Sequence, residues 1–243
     1  SFSDGGRFNS LAAALAHAEV LIEDGADMLD VGGESTRPGA VCVPVDEEIR
    51  RVIPVIQALS ALNVPISIDT RKPEVMRAAL DAGVDFVNDV AALEGQGALE
   101  LLAQYQAGVC LMHSKPHQEV PHYDDVVVDV TQYLASRIES ARTAGIAQQR
   151  IVVDPGFGFG KTFEHNIALF KALDEMQARL AVPMLVGVSR KRMLGEITAA
   201  AVGDRMLASV VAAVIASQKR AGILRVHDVR ETVDALKVWQ ALQ

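Results

Sequence analysis

Leu29-Asp-Val-Gly-Gly-Glu-Ser-Thr-Arg-Pro-Gly39 opens as an apolar run beginning at Met28 and stops on two glycines. It then passes Glu34, Ser35, Thr36 and Arg37 into a turn-forming loop. A strand that ends this way delivers polar side chains to one end of a sheet. The same grammar recurs in Ile66-Ser-Ile-Asp-Thr70, Phe86-Val-Asn-Asp-Val90, Val109-Cys-Leu-Met-His113, Ile151-Val-Val-Asp-Pro155, Leu185-Val-Gly-Val-Ser189 and Leu224-Arg-Val-His-Asp228. Each closes on Asp, Asn, His, Arg or Ser.

Between these runs the apolar spacing follows a helical period. Asn9 or Ser10 caps a first helix over Leu11, Ala14, Ala18, Leu21 and Ile22, and Gly25 stops it. Asp46-Glu-Glu48 puts acid in the first turn of a second helix, where the dipole favours it, although Pro54 interrupts its interior. Pro73 suits the first position of a third helix. Further helices are predicted over 97–106, 124–144, 164–180, 204–220 and 229–242.

Strict alternation of helices with wholly apolar strands predicts an α/β protein with parallel strands covered on both faces. An open doubly wound sheet would gather its polar groups at a switch point. A (β/α)8 TIM barrel takes them from the ends of many strands. Nearly every strand here ends in one, which favours the barrel. Seven strands are legible rather than eight, and the chain opens with a loop feeding a helix. A first strand ahead of Ser1, missing from this sequence, is therefore expected. No internal linker divides residues 1–243, so a single domain is expected.

Half of the 243 residues are apolar and only 5% aromatic, so the core is expected to be small-residue packing of Ala, Val, Leu and Ile. A formal charge of −8 argues against a general nucleic-acid binder. Cys42 and Cys110 lack metal-like spacing, which fits a reducing compartment. With no apolar run near the ~20 residues that span a bilayer and no signal peptide, a cytoplasmic location is expected.

Asp69 and Asp154 end two strands, with Asn88 between them in sequence. Carboxylates at a barrel mouth need partners or they neutralise. A planar heterocycle with an amino group beside a ring N–H offers two parallel donors, and Asn88 can read another edge. Capping of the following turns is the plainer role for such residues taken singly. Arg37, Arg190, Lys191 and Arg225 follow or end strands, with His227 two residues past Arg225. Together with Ser35 and Thr36 they suit a phosphate or diphosphate cradle made of side chains; a solvated basic rim is the alternative. Gly156-Phe-Gly-Phe-Gly-Lys-Thr162 is not a nucleotide-binding loop, because Pro155 stands where the first glycine is required. His113, His117, His122 and His165 read as loop or surface residues, and Cys110 as core. Acids for a heterocycle and cations for a leaving diphosphate, without an enzyme nucleophile, suit substitution at an allylic- or benzylic-like carbon, helped by Mg²⁺.

The combination Ser1-Phe-Ser-Asp-Gly-Gly6, Asp30-Val-Gly-Gly-Glu-Ser-Thr-Arg-Pro-Gly39, Ser67-Ile-Asp69, Asn88-Asp89, Leu111-Met-His113, Asp154-Pro-Gly-Phe-Gly-Phe-Gly-Lys161, Ser189-Arg-Lys191 and Arg225-Val-His227 resembles the dihydropteroate synthase family from end to end. The resemblance implies a (β/α)8 barrel, a homodimer, and the joining of 6-hydroxymethyl-7,8-dihydropterin diphosphate to 4-aminobenzoate in folate synthesis. Sulfonamides are the family's inhibitors. It assigns Asp69, Asn88, Met112, Asp154 and Lys191 to the pterin, and Thr36, Arg37, Arg225 and His227 to the diphosphate. Phe2, Phe159, Ser189 and Lys191 fall beside the aminobenzoate, and Asp30 near the reacting centre. The implied catalytic set is Asp30, Asp69, Lys191, Arg225 and His227. The family's Mg²⁺ ligand is an Asn just ahead of the first residues quoted, so the metal ligand is left unassigned. The loop over 114–121 is shorter than is usual and lacks a glycine. A pterin-binding methyltransferase domain that handles methyl-tetrahydrofolate is the rival on the same barrel, though it has no use for Arg37, Arg225 and His227.

Overall fold

The computed structural model describes residues 10–35, 41–115 and 122–243. In chain order the elements are α1 (Leu11–Glu23), β1 (Leu29–Gly32), α2 (Val45–Leu59), β2 (Ile66–Asp69), α3 (Pro73–Asp81), β3 (Phe86–Asp89), α4 (Ala98–Ala103) and β4 (Gly108–Met112). There follow α5 (Val126–Thr143), β5 (Ile151–Asp154), α6 (Phe163–Lys171), α7 (Leu173–Leu180), β6 (Leu185–Val186), α8 (Arg192–Thr198), α9 (Met206–Gln218), β7 (Ile223–Leu224) and α10 (Val229–Ala241). The alternation expected from the sequence is present, with seven strands among the described residues. The chain gathers into two compact units, residues 1–111 with 140–150, and residues 112–139 with 151–243.

In the first unit β1, β2, β3 and β4 lie parallel, each beside the next. All four residues of β3 are buried, as a strand covered on both faces requires. Ile56, Ile68, Val75 and Val87 are wholly buried here; side chains of this size each contribute about 1.5–3 kcal/mol when removed from water. Ser10 caps α1 by accepting the Ala13 N–H. Pro73 opens α3, where its missing N–H costs nothing. Pro54 does not break α2, which runs through it to Leu59.

In the second unit β6 and β7 form a short parallel pair, and Val153 of β5 bridges in parallel to Met184. Ile151, Val153, Phe157, Leu169 and Met176 are among its wholly buried apolar residues. Three sequence expectations are corrected. The helix predicted over 164–180 is two, because Ala172 leaves helical geometry at φ −91°, ψ 6°. Helix α8 was not foreseen, since Gly195 inside it is a poor helix former. A side chain there would meet the Arg205 guanidinium at 2.2 Å, so packing sets the glycine. The last two strands are two residues each, shorter than the runs Leu185–Ser189 and Leu224–Asp228 suggest.

Candidate active site

In the first unit the register decides which polar groups share a face. Gly32 aligns with Asp69, and Asp69 aligns with Asn88. Asp30, two residues before Gly32, falls on the same side. The contact bears this out: Asn88 Nδ2 donates to Asp30 Oδ2 at 3.2 Å. Gly32 keeps the space beside Asp69 open, its missing Cβ position being 3.4 Å from the Asp69 Cβ. Neighbouring Asp89 is wholly buried and, as the next residue of the strand, falls on the opposite face from Asn88. Its carboxylate accepts the N–H groups of Ala91 and Leu93 at 2.7 Å each, capping a turn in which Ala92 and Leu93 both have positive φ.

Around Lys72 lies a charged network that sequence reading passed over. Lys72 Nζ donates to Glu34 Oε2 at 2.6 Å, to the Val43 carbonyl at 2.7 Å and to Glu48 Oε2 at 2.5 Å. The Val43 N–H donates back to Glu34 at 2.7 Å, and Thr70 Oγ1 donates to Glu48 Oε1. Burial alone would raise the Glu34 carboxyl, but Lys72 and the Val43 N–H hold it below its usual range. Burial works against the Lys72 ammonium too, and its two carboxylates outweigh it and raise its pKa. The network joins the two ends of the 35–42 segment. Thr36 and Arg37 lie outside the described residues, as do Phe2 and His117.

The second unit holds the remaining candidates. Asp154, at the end of β5, is buried and accepts the Gly156 N–H at 2.7 Å. Burial raises its carboxyl pKa; Lys191, that N–H, Lys161 and Arg225 oppose the rise. The Gly156-Phe-Gly-Phe-Gly160 loop has positive φ at each glycine, 72°, 80° and 59°. A Cβ at Gly156 would lie 1.8 Å from the His113 carbonyl oxygen, so nothing larger fits. Asn166, buried on α6, accepts the Gly158 N–H at 2.7 Å and anchors the loop from outside. Lys191 Nζ donates to the Phe157 carbonyl at 2.5 Å and stands 4.9 Å above the Phe159 ring centre.

Ser189 and His227 meet although 38 residues separate them. The His227 N–H donates to Ser189 Oγ at 3.3 Å, and Nδ1 lies 2.8 Å from the same oxygen. Arg225 follows β7, its N–H donating to the Val186 carbonyl. Arg190, expected among the cations of an anion cradle, pairs with a carboxylate. Its guanidinium forks onto Asp228 at 3.1 and 2.5 Å, and its N–H donates to Ser209. It sits at φ 56°, a left-handed turn between Ser189 and Lys191.

His113 is also corrected, being 3% exposed rather than a surface residue. Its N–H donates to the Asp154 carbonyl, and its ring meets Tyr133 edge-on at 4.9 Å. Burial, followed by Lys161 and Lys115, pushes its pKa down to about 3. Met112 is buried at the end of β4, and Cys110 is core as expected. No group of three His, Cys, Asp or Glu suited to a metal ion occurs among the described residues. Nor, among them, is any helix long and apolar enough to cross a membrane.

Residues 1–227 match the model of the pterin binding enzyme family. The dihydropteroate synthase of Neisseria meningitidis serogroup B is 52% identical over 252 residues, spanning 100% of this chain and 88% of that relative. Among solved structures, the Xanthomonas albilineans dihydropteroate synthase with 4-aminobenzoic acid superposes with a TM-score of 0.93. It is 52% identical and covers 100% of this chain and 88% of its own. The Yersinia pestis dihydropteroate synthase with a sulfonamide drug complex gives 0.95 at 43% identity, covering 100% and 90%. The fold is therefore the (β/α)8 barrel of those enzymes, as the strand-end pattern led one to expect.

Proposed function

The chain belongs to the dihydropteroate synthase family of pterin-binding enzymes, and from that premise we propose how its residues carry the family's reaction. It is a transferase that condenses 6-hydroxymethyl-7,8-dihydropterin diphosphate with 4-aminobenzoate to give 7,8-dihydropteroate and diphosphate in folate biosynthesis. The carbon–oxygen bond to the diphosphate breaks, the amine nitrogen of 4-aminobenzoate bonds to the pterin methylene, and that nitrogen gives up a proton. The observation that carries the assignment is the buried Asp154 in the field of Lys191, Lys161 and Arg225, from separate segments.

In this reading Asp69 and Asp154 accept from the amino and ring N–H donors of the pterin, and Asn88 reads another edge of it. Met112 lines the ring, and Lys191 donates to it. Arg225 and His227, with Thr36 and Arg37, hold the diphosphate and stabilise the charge that gathers as it leaves. Such preorganised donors act most strongly where charge develops in the transition state. Dissociative loss of diphosphate fits this division, because the electron-rich pterin stabilises the cation left behind. Ser189, Lys191, Phe159 and Phe2 border the aminobenzoate, and Asp30, bonded to Asn88, lies near the reacting carbon. A metal is a separate matter. Among the described residues no three His, Cys, Asp or Glu gather around one, and Mg²⁺, the ion implied by the resemblance, enters no step here.

Residues 1–243 function as one pterin-binding barrel domain in this reading, which the family match over 1–227 supports. A homodimer in the cytoplasm completes it. Leu207, Val211 and Ile215 recur every four residues on α9 and are exposed, an apolar stripe suited to a second copy. Sulfonamides would compete with 4-aminobenzoate. The test is diphosphate release by the purified chain. Release that requires both the pterin diphosphate and 4-aminobenzoate supports the synthase. Release indifferent to 4-aminobenzoate, or none at all, refutes it.

A further inference from the structure

One half-buried lysine in the second unit, its ammonium pKa pushed down to about 7 by burial, has been given no contact with a substrate above. Lys161 ends the glycine-phenylalanine loop, and its Nζ meets four acceptors. The Gly156 carbonyl is at 2.9 Å, the Phe159 carbonyl at 3.0 Å, His113 Nδ1 at 2.9 Å and the His113 carbonyl at 3.3 Å. Three short contacts match the three protons of an ammonium. They tie the first and fourth residues of the loop to each other and to the end of β4. Phe157 and Phe159, which Lys161 thereby fixes, supply the carbonyl that accepts from Lys191 and the ring beneath it. Both lysines also share the field of Asp154.

We propose that Lys161 is a positioning residue for the transfer reaction: its ammonium shapes the 156–160 loop from within, and that loop sets where the Lys191 ammonium stands toward the substrates. The imidazole of His113 serves as an uncharged acceptor in this arrangement. A hydrocarbon in place of the ammonium takes one donor from the Phe159 carbonyl, one from the His113 ring and one from the Gly156 carbonyl, which keeps only the Phe159 N–H, and the loop must rearrange to replace them. Displacement of Lys191 follows. The proposal rests on the assignment of Lys191 to the substrates, so its test is built to fail separately from that assignment.

Lys161→Ala and the volume-keeping Lys161→Met are compared with the parent chain by circular dichroism and steady-state kinetics. A fold-only lesion lowers the active fraction and leaves KM unchanged. Misplaced Lys191 raises KM for 4-aminobenzoate about tenfold and lowers kcat/KM about a hundredfold, as small displacements of positioning groups do. Methylammonium added to Lys161→Ala should restore part of the loss, whereas tetramethylammonium, which has no N–H, should not. Independently of activity, the ¹³Cε resonance of Lys191, assigned through Lys191→Arg, should move in Lys161→Met. Folded variants with parental KM and an unmoved Lys191 resonance overturn the proposal. If the parent makes no dihydropteroate, the synthase reading falls, while the Lys191 resonance still decides the role of Lys161.

Discussion

The acids of the first unit and the cations of the second are placed by different means. Asp30, Asp69 and Asn88 stand on adjacent strands, and the ladder register alone puts them on one face. Lys191, Arg225, Ser189 and His227 come from segments that have left their short strands. They are held by contacts between loops: a carbonyl from 157, a hydroxyl against an imidazole, a forked arginine at 190. A strand-borne site tolerates change around it because the backbone ladder carries the geometry. A loop-borne site depends on each supporting contact, and it is the part that changes in neighbouring residues should disturb first.

The sharpest break should come at Asp154, where the two kinds of support meet in one residue. Asp154→Asn removes a buried carboxyl on which Lys191, Lys161 and Arg225 act. We expect kcat/KM to fall by about three orders of magnitude, measured as dihydropteroate formed. Gly156→Ala tests the loop alone. The positive φ and the 1.8 Å approach to the His113 oxygen leave no room for a methyl group. A loss of about 3 kcal/mol is expected, lowering Tm by roughly 6–12 °C in a scanning measurement.

Lys72→Met probes the strand-borne half. It leaves Glu48, 1% exposed, and Glu34 without their shared cation. A cost of about 3 kcal/mol in urea unfolding is expected, and adding Glu48→Gln should return part of it. The smallest effect is that of acid on His113. Its folded pKa of about 3 lies below the ordinary 6.5, so its contribution is complete above 6.5 and is lost as pH falls toward 3. Between pH 7.5 and 5 the parent should lose about 2 kcal/mol more than His113→Gln, measured by denaturant unfolding. Equal losses would remove His113 from the account.

The same difference governs what could be read from the residues. Alternation of apolar runs and helical periods gave the order of strands, and polar strand ends pointed to Asp69, Asn88 and Asp154. Cys110, mid-strand, was legible as core. The charge of Arg190 says nothing of the left-handed turn that brings it to Asp228. His113 was misread because its cover comes from Tyr133 and Lys161, remote in sequence. Lys161 looked like the end of a familiar loop motif, and only its ring of carbonyls reveals an internal tie. The Glu34–Lys72–Glu48 network was hidden for a similar reason. Its charges occupy ordinary surface types of position, while Gly33 itself packs directly against Glu48 and Val52 of α2.

The central claim is a division of labour between carboxylates that hold the ring and cations that hold the phosphates. Calorimetric binding of 6-hydroxymethyl-7,8-dihydropterin and of its diphosphate to the parent, Asp69→Ala and Arg225→Ala measures it directly. Asp69→Ala should lose both ligands, whereas Arg225→Ala should keep the plain pterin and lose only the added affinity of the diphosphate. Equal losses for the two ligands in Arg225→Ala, or unchanged pterin affinity in Asp69→Ala, would contradict it.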